Sequence, residues 1–289
     1  MFEKMGLIGC GLMGGSLAMA LKAAGLVQTI KGYSQSPASS AKAKALGAID
    51  LQVMQAAEAA KEADLIVIAV PVAATQSTLA AIAPQIGPST LVVDVGSTKC
   101  NVVQAAQAAL GVKVAQFVPS HPIAGAEKAG VDHASASLYQ GRQVILTPIR
   151  ETSEQATDQA QMLWEAIGCN VISMDPAAHD AAFAKVSHLP HLLAFAYINS
   201  ILNAEHAKQS LALAGTGFKD FSRIAGSEPH MWRDVFLANQ TEILASLDRF
   251  EDELRRLRTA IVQGRDDVLL SELNQASACR SAWRIAGTS

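Results

Sequence analysis

Gly9-Cys10-Gly11-Leu12-Met13-Gly14 is a complete G-x-G-x-x-G close to the start of the chain. The first glycine of such a loop permits a tight turn, the second lets a pyrophosphate approach the backbone, and the third lets helix and strand pack closely. Phosphates then meet free N–H groups at a helix N-terminus, where the helix dipole also favours anions. A short apolar run precedes the motif and an Ala-rich segment follows it, the context in which the pattern reads as a dinucleotide site. NAD-binding folds place an acidic side chain about 20 residues further on to bond the ribose 2′-hydroxyl. Here that place reads Gly32-Tyr33-Ser34-Gln35-Ser36, with no carboxylate. Ser34 does not repel a 2′-phosphate, and no arginine beside it rewards one, so the cofactor is expected to be NADP or NAD, with a lean toward NADP.

A second group of residues can do proton chemistry. His121 opens His121-Pro122-Ile123-Ala124-Gly125-Ala126-Glu127-Lys128 just after a strand-like segment. That position is expected at the carboxyl edge of a sheet, where open α/β folds bind ligands. Imidazole is suited to accept a proton near neutral pH; the alternative is a histidine bonded locally for structure. Ser97, in Asp94-Val95-Gly96-Ser97-Thr98-Lys99, can share that crevice and orient the histidine or a substrate, or can cap a helix. Ser187-His188-Leu189-Pro190-His191 sets two histidines three apart, but a third and a fourth ligand are missing, so no metal is expected. Arg223, which ends Gly215-Thr216-Gly217-Phe218-Lys219-Asp220-Phe221-Ser222-Arg223, can grip a carboxylate through two parallel hydrogen bonds or serve as a surface cap.

The elements that must hold these residues are legible as alternation. Apolar runs at 5–8, 29–33, 65–70, 91–94, 117–119, 143–147 and 170–174 are separated by helical stretches such as 16–24 and 38–46. Leu65-Ile66-Val67-Ile68-Ala69-Val70 is apolar throughout, as a strand covered on both faces must be. This predicts an α/β, Rossmann-type domain over residues 1–174. Asp175-Pro176 is a good helix start, and residues 175–289 read as helices alone, which makes the second domain all-α. Within it, Ile243, Leu247, Phe250, Leu254, Leu257 and Ile261 are spaced 4, 3, 4, 3 and 4, a seam for another helix of the same chain or of a second copy.

Composition narrows the classes. The chain has 289 residues, 50% hydrophobic and 17% charged, with a formal charge of −3, so no basic footprint for nucleic acid or an anionic membrane exists. Four well-separated cysteines with no CxxC pair suit a reducing compartment, and neither a leader pattern nor an apolar run of about 18 residues is present. A cytoplasmic location is expected.

The motifs together resemble the prephenate/arogenate (cyclohexadienyl) dehydrogenase family of tyrosine biosynthesis. The likeness runs from about residue 5 to about residue 260 and keeps the family's motif order. It implies a Rossmann-type domain followed by a helical domain that forms a homodimer. It also implies NAD(P)-dependent oxidative decarboxylation of prephenate to 4-hydroxyphenylpyruvate or of arogenate to tyrosine, between which the motifs do not choose. By the same resemblance His121 is the catalytic histidine on the ring hydroxyl, and Ser97 supports it. Arg223 binds the substrate carboxylate, Glu127 gates that arginine, His188 and His191 lie near substrate and nicotinamide, and Trp232 lies near the site. The cofactor is expected against Gly9, Gly11, Leu12, Met13, Gly14 and Ser34, with Val70 and Pro71 at the end of the 65–70 strand. Two positions depart from the family: members that prefer NAD carry an acid in place of Ser34, and some carry glycine in place of Thr216, which bears on the substrate pocket. The length leaves no expected room for a fused chorismate mutase or a regulatory domain, so tyrosine feedback would act at the active site. One rival is a β-hydroxyacid dehydrogenase with Lys185 as acid/base, for which the His121 segment has no use. The other is a dinucleotide-sensing protein without turnover.

Overall fold

The computed structural model describes residues 2–125 and 129–284. The N-terminal part alternates β1 (Phe2–Ile8), α1 (Leu12–Ala23), β2 (Val27–Tyr33), α2 (Pro37–Ala45), β3 (Leu51–Gln52), α3 (Ala56–Ala60), β4 (Leu65–Ile68), α4 (Thr75–Ile82), β5 (Leu91–Asp94), α5 (Cys100–Leu110) and β6 (Phe117–Val118). The six strands form one parallel sheet in the order β3-β2-β1-β4-β5-β6. Every residue of β4 and β5 is buried, because an apolar cluster covers each face of the sheet. The α/β reading holds on that physical ground.

A second sheet was not foreseen. β7 (Ser120–Pro122) pairs antiparallel with β8 (Gln143–Leu146), and α6 (Glu154–Ala166) leads into β9 (Asn170–Ser173), parallel to β8. His121 is expected just after a strand, at the carboxyl edge of the sheet; it follows β6 closely and itself lies within β7, opposite Ile145. A strand of three residues, Ser120–Pro122, is too short to carry a periodic signal, and its proline cannot donate to a ladder, so only the pairing reveals it.

The rest of the described chain is helical, as expected: α7 (Pro176–Phe183), one widened turn (Ala184–His188), α8 (Leu189–Leu202), α9 (Ala207–Ala212), α10 (Thr216–Ser222), α11 (Pro229–Ala238), α12 (Gln240–Val262) and α13 (Asp266–Ala282). Asp175 starts α7 by accepting the amides of Ala177 and Ala178. The wide turn precedes Pro190, which has no N–H and would crowd the carbonyl four residues back in a regular helix. The seam on α12 divides: Ile243 is buried, whereas Leu254 is 50% and Ile261 66% exposed. Among the described residues no helix is long and apolar enough to cross a membrane.

Candidate active site

The glycine loop joins β1 to α1 at the centre of the sheet. Gly9 has φ +100°, and a Cβ there would lie 2.1 Å from the Ala69 carbonyl oxygen, so the loop rests on the backbone just beyond β4. Val70 and Pro71 follow directly, half-buried and exposed respectively. At Gly14 a Cβ would lie 2.1 Å from the Gly9 carbonyl oxygen, which makes close packing the reason for that glycine. Gly11 differs, because a Cβ there would meet nothing within 4 Å. It borders open space at the start of α1, where Leu12 and Met13 form the first turn and no side chain caps the amides. That cradle fits a pyrophosphate. Ser34 Oγ accepts the Cys10 amide at 2.8 Å, which holds the end of β2 against the glycine loop.

Around His121 the structure builds a buried polar chain that the sequence reading missed. His121 Nδ1 is 2.8 Å from His179 Nε2, and His179 Nδ1 is 2.8 Å from Asp180 Oδ1. Asp180 also accepts the backbone amides of Lys99 and Cys100, both at 2.8 Å, across the junction between the two parts of the chain. Burial opposes ionisation of Asp180, but bonds from His179 and from those amides outweigh it and hold the carboxyl below its ordinary value. An ionised Asp180 accepts from His179 Nδ1–H, so His179 Nε2 is a lone pair and must accept from His121 Nδ1–H. His121 Nε2 is then the unprotonated atom that can receive a proton from a ligand. Burial first, and then His179, Lys99 and His188, hold the His121 pKa well below the usual histidine value, so the ring is neutral at pH 7. Phe183 packs on both rings, at 4.7 Å from His121 and 4.4 Å from His179 between centroids.

A second buried pair fixes the backbone beneath this chain. Lys99 Nζ bonds Asp94 Oδ2 at 2.6 Å and the Ser120 carbonyl at 2.7 Å, while Asp94 Oδ1 accepts the Ser120 amide. These contacts tie the end of β5 to the residue before His121. Burial lowers the Lys99 pKa, against the pull of Asp94 and Asp180. Ser97 is half-buried in the same β5–α5 loop, and Lys99, not Ser97, takes the cap position of α5. His179 and Asp180 stand in Ala177-Ala178-His179-Asp180-Ala181-Ala182, where two adjacent ionisable residues interrupt alanines. That interruption was the available signal.

The remaining expected residues gather on the helical side. His188 is buried, and its Nε2 makes no hydrogen bond. Burial, the largest cause, lowers its pKa to about 4. His191 donates from Nδ1 to the Ser187 carbonyl at 2.8 Å and stacks on Trp232 at 3.6 Å and 18°. Its pKa is held down by burial and, less strongly, by the positive charge of Arg223, against the pull of the Ser187 carbonyl. Arg223, at the end of α10, is near enough for its charge to reach the His191 ring. Trp232 is buried with its Nε1 unpaired. Thr216 opens α10 and is exposed. Glu127 lies outside the described residues. Lys185 is exposed on the wide turn, a setting that does not favour it as a buried acid/base. No group of three metal-ligating side chains occurs among the described residues.

A glycine cradle at the carboxyl end of a parallel sheet, together with a buried histidine chain that runs from the second sheet into the helical part, defines an NAD(P)-dependent oxidoreductase. Residues 17–173 match the family described as prephenate dehydrogenase, nucleotide-binding domain, and residues 175–275 match prephenate dehydrogenase, dimerization domain. A cyclohexadienyl dehydrogenase of Zymomonas mobilis is 36% identical over 285 residues, 98% of this chain and 97% of that protein. The crystal structure of the A. aeolicus prephenate dehydrogenase with hydroxyphenyl propionate and NAD+ superposes with TM-score 0.90 at 34% identity, over 96% of this chain and 97% of that one. The Synechocystis arogenate dehydrogenase superposes at 0.81 and 28% identity, over 96% and 99%. The chain belongs to the prephenate dehydrogenase family.

Proposed function

We propose that this protein carries out NAD(P)-dependent oxidative decarboxylation of prephenate, arogenate or both, yielding 4-hydroxyphenylpyruvate or tyrosine. The observation that carries the reading is the His121–His179–Asp180 chain, which leaves one unprotonated imidazole nitrogen for a hydroxyl proton. The nicotinamide, when bound, supplies the acceptor for the hydride of the ring carbinol carbon. His121 Nε2 takes the hydroxyl proton, and Asp180, through His179, stabilises the imidazolium that forms. The ring carboxylate leaves as CO₂, the electron pair of the broken bond passes through the ring to the oxygen, and that oxygen takes back the proton held on His121 as the ring becomes aromatic, so the protein has only to orient the groups and hold one proton. Ser97 supports His121 at the ring hydroxyl. Arg223 clamps the side-chain carboxylate under the gate of Glu127, His188 and His191 flank substrate and nicotinamide, Trp232 forms a wall, and Thr216 shapes the pocket.

The dinucleotide lies along Gly9, Gly11, Leu12, Met13, Gly14, Ser34, Val70 and Pro71. NADP is used at least as well as NAD, on the support of Ser34 and of the missing carboxylate at the end of β2. The domains divide as 1–174 and 175–289. A homodimer forms through the C-terminal helices, supported by the uncovered half of the α12 seam and by the dimerization domain that residues 175–275 match. The location is cytoplasmic, with no nucleic-acid or membrane partner. The test is purified protein with each substrate crossed with each cofactor, followed by the absorbance of the reduced nicotinamide. Turnover of neither substrate with either cofactor would refute the proposal.

A further inference from the structure

Asn239 ends α11 and starts α12, buried at the break between them. Its Nδ2 donates to the Asp180 backbone carbonyl at 2.9 Å and lies 3.0 Å from His188 Nδ1. A main-chain carbonyl can only accept, so the nitrogen of this amide, and not its oxygen, must face Asp180. The same nitrogen presents its second hydrogen to His188. Nδ1 of that ring must therefore be an unprotonated acceptor, and the neutral ring carries its hydrogen on Nε2. That Nε2 is buried and makes no hydrogen bond. The Ser97 carbonyl stands close enough to favour a proton on the ring, yet outside hydrogen-bonding geometry. The ring lies between Phe183 and Trp232, at 6.4 and 6.2 Å between centroids, where the β5–α5 loop meets the helical domain. A buried donor without a partner is costly unless a ligand completes it.

We propose that Asn239 is a positioning residue that fixes His188 as a neutral Nε2–H donor for an oxygen of the bound cofactor–substrate pair. It rests on the site assignment made above and adds a role that the motif reading does not contain. His188 is a donor of fixed polarity and not a second base. Protonating it would set Nδ1–H against the N–H of Asn239, so the amide and the burial act in the same direction. Of the charged and titratable groups that face the ring, Asp180 on α7 favours the proton, while His179 on α7 and His191 on α8 oppose it, and His121 on β7 also lies within electrostatic reach. Trp232, which faces the ring from α11, carries no charge. Asn239 also holds the backbone of Asp180, so one side chain aligns both the relay behind His121 and the donor at His188.

The test is nitrogen NMR of the full-length protein labelled at histidine, with the His188 signals assigned by their loss in His188→Gln. The expected spectrum has Nε2 protonated and Nδ1 bare, unchanged from about pH 8 down to about pH 5. A protonated Nδ1, or a ring that titrates at the ordinary histidine value, overturns the proposal. Asn239→Asp replaces the donor by an acceptor. It is expected to put a proton on Nδ1, raise the His188 pKa into the neutral range, and bring a new acid limb into the kcat/KM profile. An unchanged tautomer together with an unchanged profile in that variant also overturns it. Should the variant not fold, the wild-type spectrum decides. The spectrum is independent of turnover, so failure of the substrate assay and failure of this inference are separate results.

Discussion

Loss of the His188 ring should make the protein markedly less sensitive to acid. An ordinary imidazole titrates at 6.5, and burial lowers this one to about 4. Between those values the unfolded chain binds a proton that the folded chain refuses. Stability from this residue is therefore fully present above about pH 6.5 and is lost as the pH falls toward the folded value. At about 1.4 kcal/mol per pH unit, the interval corresponds to roughly 3 kcal/mol. A loss of that size is a large part of the ~5–15 kcal/mol that holds an ordinary domain folded. His188→Asn has no ring to protonate, so its unfolding free energy should fall less with acid than that of the wild type, by about that amount. The assay is urea unfolding from about pH 7 down to about pH 4 at one protomer concentration, since association shifts apparent stability. Any loss at neutral pH cancels, because the quantity read is the change with pH. His121 and His179 also have lowered pKa values, and they remain in both proteins. Parallel pH curves for the two proteins would refute the argument.

Further outcomes are expected at the catalytic histidine, the glycine loop, the ribose position and the helical seam. His121→Asn should lower kcat by about 10²–10⁴ with dinucleotide affinity nearly unchanged, and near wild-type turnover would remove His121 from the mechanism. Gly11→Ala should fold with an unaltered Tm but bind dinucleotide about tenfold or more weakly by calorimetry, because its Cβ enters the open cradle. Gly14→Ala should instead cost about 1–3 kcal/mol of stability, since its Cβ would press on the Gly9 carbonyl, and equal effects at the two positions would contradict this division. Ser34→Asp should shift kcat/KM toward NAD by about 1–3 kcal/mol, and a wild type that already strongly favours NAD would contradict the premise. Leu254→Glu should weaken association by light scattering while leaving the fold of each chain intact, because that residue is half-exposed within one chain; an undiminished dimer would place the interface elsewhere.

The sequence by itself determined whatever is encoded in neighbouring residues. Gly9, Gly11 and Gly14 announce a phosphate loop because each answers a local steric demand. The unbroken apolar run from Leu65 announces a strand covered on both faces, and Asp175-Pro176 announces a helix start through its own side chain. Ser34 is legible for the same reason, as one position at a fixed distance from the loop. What joins residues far apart in the chain was decided only by the tertiary structure. His121 and His179 are 58 residues apart, and Asp180 and Lys99 are 81 apart. No periodicity records such pairings, because each partner satisfies its own helix or strand without the other. The placement of His121 on β7 likewise depends on Val144, Ile145 and Leu146 across the sheet, beyond any local pattern. The proton-bearing nitrogen follows last of all. A histidine's sequence context does not state its tautomer, which is settled by the donor or acceptor that folding brings against each nitrogen. For His121 that neighbour is His179, and for His188 it is Asn239, each delivered by a different helix.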